Sequence, residues 1–398
     1  MLYALHRDGL VSRHQIADSV GITRATVSKA TQALINSGIV REVEQGVAST
    51  RGGRRPILLS VCEFALHLVG IDIRREKVTG CCIDLSGNVI EHLSVPLNDA
   101  LNSEELTANV VDVIEKLSSG RSEPLGAIGI GAIGPVDVNR GRSYPPAFPA
   151  LYDLPIVSEL AERFRVPVTL RTGAVAAAYG EEQAAIAERN LKSIAFVVID
   201  HRGIGLGLIS GGAGWLTEHG GIGELGHVTV DFQGRPCKCG RRGCLTQYAS
   251  GIAAMRIRDG EAAPDRLAER QLSKFVRAAE EGDHSAQDAM REAGRYLGCA
   301  IVDVDRLLRP SRIVVGSSHE HLSKWYLLGV EDYIRDVHES TDFGDLLDRV
   351  MPAHKGSLAI AYGAASLQLK HFMRAPARIL TMLAEKGDSA TPATGVRH

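Results

Sequence analysis

Apolar residues first recur at helical spacing, then switch to strand-like patterns. Ile16, Ala17 and Val20 share one face of a helix predicted over 13–20, which Ser12 can cap. Gly21 breaks that helix, and Ile22 reads as the buried residue of the turn. Thr23 can cap a second helix over 24–36, with Val27, Ala30, Leu34 and Ile35 as its stripe and Ser37-Gly38 as its end. Two strands, 39–43 and 57–61, flank a polar segment. Helix, glycine turn, capped helix and hairpin make a helix-turn-helix followed by a wing.

Beyond residue 61 the pattern alternates. Strands are predicted at 66–73, 78–85 and 88–95, with a hairpin turn at Ser86-Gly87-Asn88. A helix over 104–117, strands at 125–133 and 166–170, and an alanine-rich helix over 174–188 follow. A second round starts with strands at 194–200 and 203–210. Helices near 248–258, 272–282, 286–308 and 323–339, a strand at 312–316 and a last helix over 356–372 complete it. Residues 376–398 show no periodicity and read as a disordered tail.

Length and composition narrow the class. A chain of 398 residues suits two or three domains, and 44% hydrophobic with 23% charged residues is a globular balance. No run of about 18 apolar residues appears, and the first ten residues lack a signal-peptide core, so a cytoplasmic protein without membrane contact is expected. Seven cysteines, three of them clustered, fit a reducing compartment; Cys62, Cys81, Cys82 and Cys299 read as buried thiols. Charge is uneven. Residues 1–60 hold eight Lys/Arg against four Asp/Glu, whereas the whole chain is −2. A basic head on an acidic body points to a polyanion partner for the head alone.

The head supplies the matching side chains. In a helix-turn-helix, the first residues of the second helix reach base edges; here they are Arg24, Ala25, Thr26, Ser28 and Lys29. The wing tip carries Arg51, Gly52, Gly53, Arg54 and Arg55. A narrow minor groove attracts arginine, and glycine lets backbone approach closely. The partner these features predict is an operator in double-stranded DNA.

The densest chemistry lies at 223–247. His227, Cys237, Cys239 and Cys244 fall within eighteen residues, and zinc favours four tetrahedral N and S ligands. Cys237 and Cys239 can face one point from a tight turn, and Gly240 and Gly243 can fold the chain back so that Cys244 joins them. Zinc held by all four would be structural, with no position open for water.

Glu224-Leu225-Gly226-His227 followed by Cys-x-Cys-Gly-x-x-Gly-Cys resembles the signature of the ROK family. The wing's Gly-Gly-Arg-x-Pro resembles that of the family's regulators. The resemblance covers nearly all of residues 1–372. It implies an α/β fold: a winged helix-turn-helix over 1–61 joined to a two-lobed, actin-like (ribonuclease H-like) sugar-kinase fold with a structural zinc loop. The lobes are expected at 62–183, completed by the helix 356–372, and at 184–355. Some members phosphorylate sugars; others regulate sugar genes.

The kinase apparatus that the family implies is incomplete here. Its phosphate hairpin, rich in glycine, corresponds to Asp72-Ile73-Arg74-Arg75-Glu76-Lys77, which has none. Its Asn-Asp pair before the alanine-rich helix corresponds to Thr172-Gly173, and glycine cannot act as a base. Of two sugar-contacting acids, Glu224 remains and the other is Thr246. The loop Gly203-Ile204-Gly205-Leu206-Gly207 reads either as a nucleotide loop or as a close backbone approach.

The expectation is therefore a transcriptional regulator, in the repressor sense, with an inactive kinase body, working as a homodimer or tetramer. Arg171, Thr172, Glu224, His227 and Thr246 are expected to form its effector site, the arginine favouring a sugar phosphate or sugar acid. The alternatives are a zinc-containing sugar kinase and a regulator whose body only dimerises.

Overall fold

A computed structural model of the chain describes residues 1–45, 56–98, 100–188, 191–215, 223–260, 269–317, 319, 321–338, 345–377 and 380–381. The head begins with a helix the periodicity did not single out, α1 (Leu2–Asp8), which buries Leu2, Ala4 and Leu5. Strand β1 (Val11–Ser12) leads into α2 (Arg13–Val20). Ser12 and Gln15 form a reciprocal capping box, and Gly21 ends α2 with φ 71°, ψ 31°. Thr23 caps α3 (Arg24–Asn36), its hydroxyl accepting from the Thr26 N–H. Val27 is fully buried and Leu34 nearly so. Ile22, expected in the core, is 37% exposed. Thr31 of α3 is buried instead of exposed despite its hydroxyl, which donates to the Val27 carbonyl at 2.6 Å and so is satisfied inside the helix. Strands β2 (Val40–Gln45) and β3 (Ile57–Val61) pair antiparallel, with Val40 opposite Val61, and β1 joins the far side of β3. The wing residues Arg51, Gly52, Gly53, Arg54 and Arg55 lie outside the described residues.

The first lobe is built on β4 (His67–Ile73), β5 (Lys77–Ile83), β6 (Val89–Pro96), β7 (Leu125–Ala132) and β10 (Val168–Thr172), in the order β10-β7-β4-β5-β6. The β4-β5-β6 meander is antiparallel, while β7 and β10 run parallel to β4. Helix α4 (Ser103–Ser118) covers one face with Leu106, Val110, Val113, Ile114 and Leu117. A small hairpin, β8 (Val136–Asp137) and β9 (Arg142–Ser143), and α5 (Ile156–Phe164) complete this side. Helix α6 (Gly173–Ala184) follows β10 directly. The strand thus runs two residues further than its apolar pattern, and the helix starts one residue earlier.

The second lobe repeats the plan. Its sheet runs β13 (Ala213–Gly214), β12 (Ile204–Ser210), β11 (Ser193–Ile199), β14 (Arg312–Ser317), β15 (Val350–Pro352). The expected helix near 248–258 is broken into α7 (Thr246–Ala249) and α8 (Gly251–Asp259), because Ser250 turns extended and caps α8. Helices α9 (Glu269–Glu280), α10 (His284–Leu308), α11 (Leu322–His338) and α12 (Leu346–Arg349) form the outer layer. The last helix, α13 (Ala359–Arg374), returns to the first sheet. It fits because a Cβ on Gly70 or Gly129 would lie about 2 Å from an α13 carbonyl oxygen. Helix α13 also packs along α6, and α6 backs onto β11 and β12, so this pair joins the lobes. Of the expected tail, residues 376–377 and 380–381 are helical and Leu380 packs on the core; 382–398 lie outside the described residues. No described helix is long and apolar enough to cross a membrane.

Candidate nucleic-acid interface, ligand cleft and metal centre

Helix α3 divides its first two turns cleanly. Val27 is buried, whereas Arg24, Ala25, Thr26, Ser28 and Lys29 are all exposed. This follows from the 3.6-residue period once Thr23 sets the start. The α3 entry is therefore a polar, cationic surface with no acid in its first turn.

The four candidate metal ligands converge. All four donor atoms lie within 4.8 Å of one another. Cys239 Sγ is 3.5 Å from Cys244 Sγ, and Cys237 Sγ is 3.6 Å from His227 Nδ1. Tetrahedral zinc would separate such atoms by about 3.6–3.8 Å. The loop closes through backbone bonds from Cys237 N to Arg241 O (2.8 Å) and from Gly243 N to Arg235 O (2.8 Å). Gly243 has φ 68°, and a Cβ there would fall 1.4 Å from the Asp231 carbonyl oxygen, so only glycine fits. A backbone hydrogen bond at Arg241 and the adjacent thiols hold the exposed Cys239 down to about 6; burial and the same thiols push Cys244 up to about 12. The set can hold a metal ion. His227 turns Nδ1 to the thiols and Nε2 toward Glu224, 3.8 Å away.

A cavity of about 780 Å³ separates the lobes. Thr172, Glu224, His227 and Thr246 line it; Arg171 does not. Side chains alternate along a strand. With β10 extended through Thr172, Arg171 turns away, donates from one guanidinium nitrogen to the Leu170 carbonyl (2.7 Å) and lies near Tyr179. The expected cationic contribution to the cleft comes instead from Arg202, Arg235, Lys238 and Arg256. Arg235 and Lys238 could have been suspected from their place in the zinc segment; Arg202 and Arg256 carried no local signal. Thr246 is buried, its hydroxyl donating to the Arg202 carbonyl at 2.9 Å. Gly173 opens α6 at the cleft wall. Of the glycine loop, Gly207 is a close approach: its Cβ would meet the Ala174 backbone of α6 at 2.2 Å.

At the other end of the cleft, Arg74 is buried between two carboxylates. Its Nε donates to Asp72 at 2.9 Å, and a terminal nitrogen donates to Asp200 at 2.7 Å. Asp200 also accepts from the His201 N–H (2.7 Å), and His201 Nε2 lies 3.2 Å from Glu76. Burial pushes the Asp200 carboxyl up, but Arg74, His201 and His319 outweigh it and hold it below the usual range. Burial alone would lower His201, yet Asp200 and Glu76 raise it despite Arg202. A raised folded pKa means that this pairing stabilises fully below the ordinary imidazole value and fades as pH rises through the folded one. The melting temperature of Glu76→Gln is expected to fall below wild type at pH 6 and to approach it by pH 8.5; an equal gap at both pH values would exclude a charged His201.

A family model described as ROK matches residues 68–371. The chain belongs to the ROK family. A second model, described as winged helix-turn-helix DNA-binding, matches residues 1–41. Among ROK relatives, the chain is 29% identical to a xylose repressor of Bacillus spizizenii over 94% of each chain. It is 29% identical to the DNA-binding transcriptional dual regulator NagC of Escherichia coli over 82% of this chain and 81% of NagC. A solved ROK family transcriptional regulator, a homologue of the E. coli MLC protein, shares the fold with TM-score 0.74, 21% identity and coverage of 96% and 97%. A ROK glucokinase from Streptomyces griseus, solved with glucose and AMPPNP, matches with TM-score 0.64, 26% identity and coverage of 76% and 98%.

Proposed function

We propose that the chain is a DNA-binding transcriptional repressor of carbohydrate-related genes, with a ROK body that binds an effector and dimerises but does not phosphorylate. The observation that carries this reading is the exposed, cationic start of α3 on a head joined to a ROK body, a two-part construction shared with xylose repressors across 94% of both chains. Arg24, Ala25, Thr26, Ser28 and Lys29 enter a major groove, and Arg51–Arg55 enter the adjacent minor groove. A dimer then reads a near-palindrome with half-sites one or two turns apart, each about 10 bp. Selection of bound DNA from a random pool, repeated with sugars and sugar phosphates, tests the reading. Recovery of no consensus would overturn it.

Zinc is the metal that suits His227, Cys237, Cys239 and Cys244, since one imidazole and three thiols form a closed structural set. The effector is an anionic carbohydrate. Glu224 and the Nε2 side of His227 suit sugar hydroxyls, and the cationic residues of the cleft suit a phosphate or carboxylate.

Absence of kinase activity rests on Gly173 and Arg74. Glycine offers no base where the family's catalytic aspartate is expected. A coupled ADP assay with hexoses, pentoses and amino sugars is expected to stay at the blank, and turnover on any of them would overturn this part. Titrating the DNA complex with sugar phosphates should change its affinity in wild type and much less in Glu224→Ala. If neither responds, the body is a dimerisation scaffold.

A further inference from the structure

The hairpin that the family's kinases use to hold phosphate is occupied here by the protein's own cation. Asp72 is the next-to-last residue of β4, buried along its whole length, and Arg74 opens the turn into β5, its N–H donating to the Lys77 carbonyl at 3.0 Å. The guanidinium does not turn to solvent. It is 3% exposed and reaches 126 residues along the chain to Asp200. Asp200 belongs to the other lobe, in the turn between β11 and β12. That turn is firmly seated. Asp200 N donates to Gly203 O (2.9 Å), and the Asp200 and His201 carbonyls accept from Gly251 N (3.1 Å) and Ile252 N (2.8 Å) at the start of α8. A second link runs parallel, from Glu76 of the first lobe to His201 of the second.

We propose that Arg74, held by Asp72 and bridged to Asp200, is a latch that ties the two lobes together at the nucleotide end of the cleft and excludes polyphosphate from it. A guanidinium matches carboxylates in a planar, directed way, and a low dielectric strengthens each contact. Between two carboxylates it does two things. It cancels their repulsion across the cleft, and its buried side chain lines the cleft at the hairpin where the family's kinases are expected to hold phosphate. The lobes therefore need no nucleotide to stay closed at this end. Movement produced by a ligand at the Glu224 end must hinge about the latch. The proposal does not depend on the identity of that ligand or on the DNA target.

The three members of the triad separate latch from general packing. Arg74→Met leaves two carboxylates facing each other across the lobes. Asp200→Asn removes the interlobe charge pair but keeps Arg74 on Asp72. Asp72→Asn does the reverse. Hydrogen exchange on the full chain is expected to rise at least about tenfold in both 71–78 and 198–206 for Arg74→Met and Asp200→Asn, because local opening sets these rates. It should rise in 71–78 only for Asp72→Asn. Should Arg74→Met not fold, Asp200→Asn carries the test alone. Unchanged exchange at 198–206 in folded Asp200→Asn would overturn the latch, as would equal effects of Asp200→Asn and Asp72→Asn on that segment. Wild type is also expected to show no change with millimolar MgATP; protection of 72–77 by MgATP would overturn the exclusion of polyphosphate.

Discussion

Replacing Cys239 by serine is expected to release one metal ion per chain and to unfold the loop 227–245 locally. Apart from its own backbone bonds and Cys244, the loop buries few side chains. Phe232 is 78% exposed, Cys239 itself is exposed, and Arg241 and Arg242 face solvent. Its inward anchors are Leu225, Leu245 and the Tyr248 hydroxyl, which accepts from Arg235 N at 2.9 Å and donates to Asp231. Structural zinc can supply on the order of 10 kcal/mol of local folding free energy. Because Cys239 is exposed, serine there removes a ligand without opening a hole. Cys244→Ser should be worse, since Cys244 is buried in the core and the change also places a hydroxyl there. Elemental analysis should find one zinc per wild-type chain and none in Cys239→Ser. Hydrogen exchange should rise across 228–244 while β4 and β7 stay protected. Chelation should reproduce the mutant and added zinc should reverse it in wild type only. A variant that keeps its metal and its exchange pattern would remove these residues as ligands. Glu224 and His227 border the loop, so response to a cleft ligand should fall before DNA affinity does.

Much of this was legible in the chain, and the failures have physical causes. The caps at Ser12 and Thr23 and the αL glycine at 21 are local, so α2 and α3 begin and end where the residues say. The candidate metal set is local too: four residues able to act as ligands within one short segment, with glycines where the chain must turn. The misreadings arise where tertiary context decides. Arg171 was expected in the cleft, but β10 runs on through Thr172, and one residue of strand fixes which way a side chain faces. The pairing of Arg74 with Asp200 spans 126 residues and leaves no periodic trace. Ile22 reads as core but is 37% exposed, whereas the polar Thr31 is buried because its hydroxyl bonds its own helix.

Head and body share one core. Leu2 and Leu5 of α1 belong to the same apolar cluster as Tyr362, Leu369 and Phe372 of α13. His6 of α1 meets Gln183 near the end of α6, and Arg374 of α13 lies over the Tyr3 ring. The helix α6 starts at the cleft wall with Gly173 and ends beside α1. A change of cleft shape that tilts α6 or α13 would therefore be felt directly at α1 and the head.

The double substitution Arg24→Ala, Lys29→Ala is expected to weaken operator binding on the order of 100-fold at about 0.15 M salt, from base and phosphate contacts of about 1–3 kcal/mol each. Both side chains lie on the exposed face of α3, away from Val27, so their loss should leave the head folded. Arg24 does make one local contact, a guanidinium nitrogen 3.3 Å from His14 Nε2, but both partners are exposed and the bond carries little stability. A phosphate contact has a second signature. Each one lost should flatten the dependence of log affinity on log salt by about 0.9. A base contact instead relaxes sequence preference at one position while changing the salt slope little, so the two single variants sort the roles of Arg24 and Lys29. Gln32→Ala is the control: Gln32 is exposed on the same helix two turns beyond Arg24 and bonds Asn36 across the surface. It should bind like wild type. Melting curves of all variants must coincide within about a degree or two for the comparison to report binding. Folded Arg24→Ala, Lys29→Ala protein that keeps both its affinity and its salt slope would take α3 out of the groove.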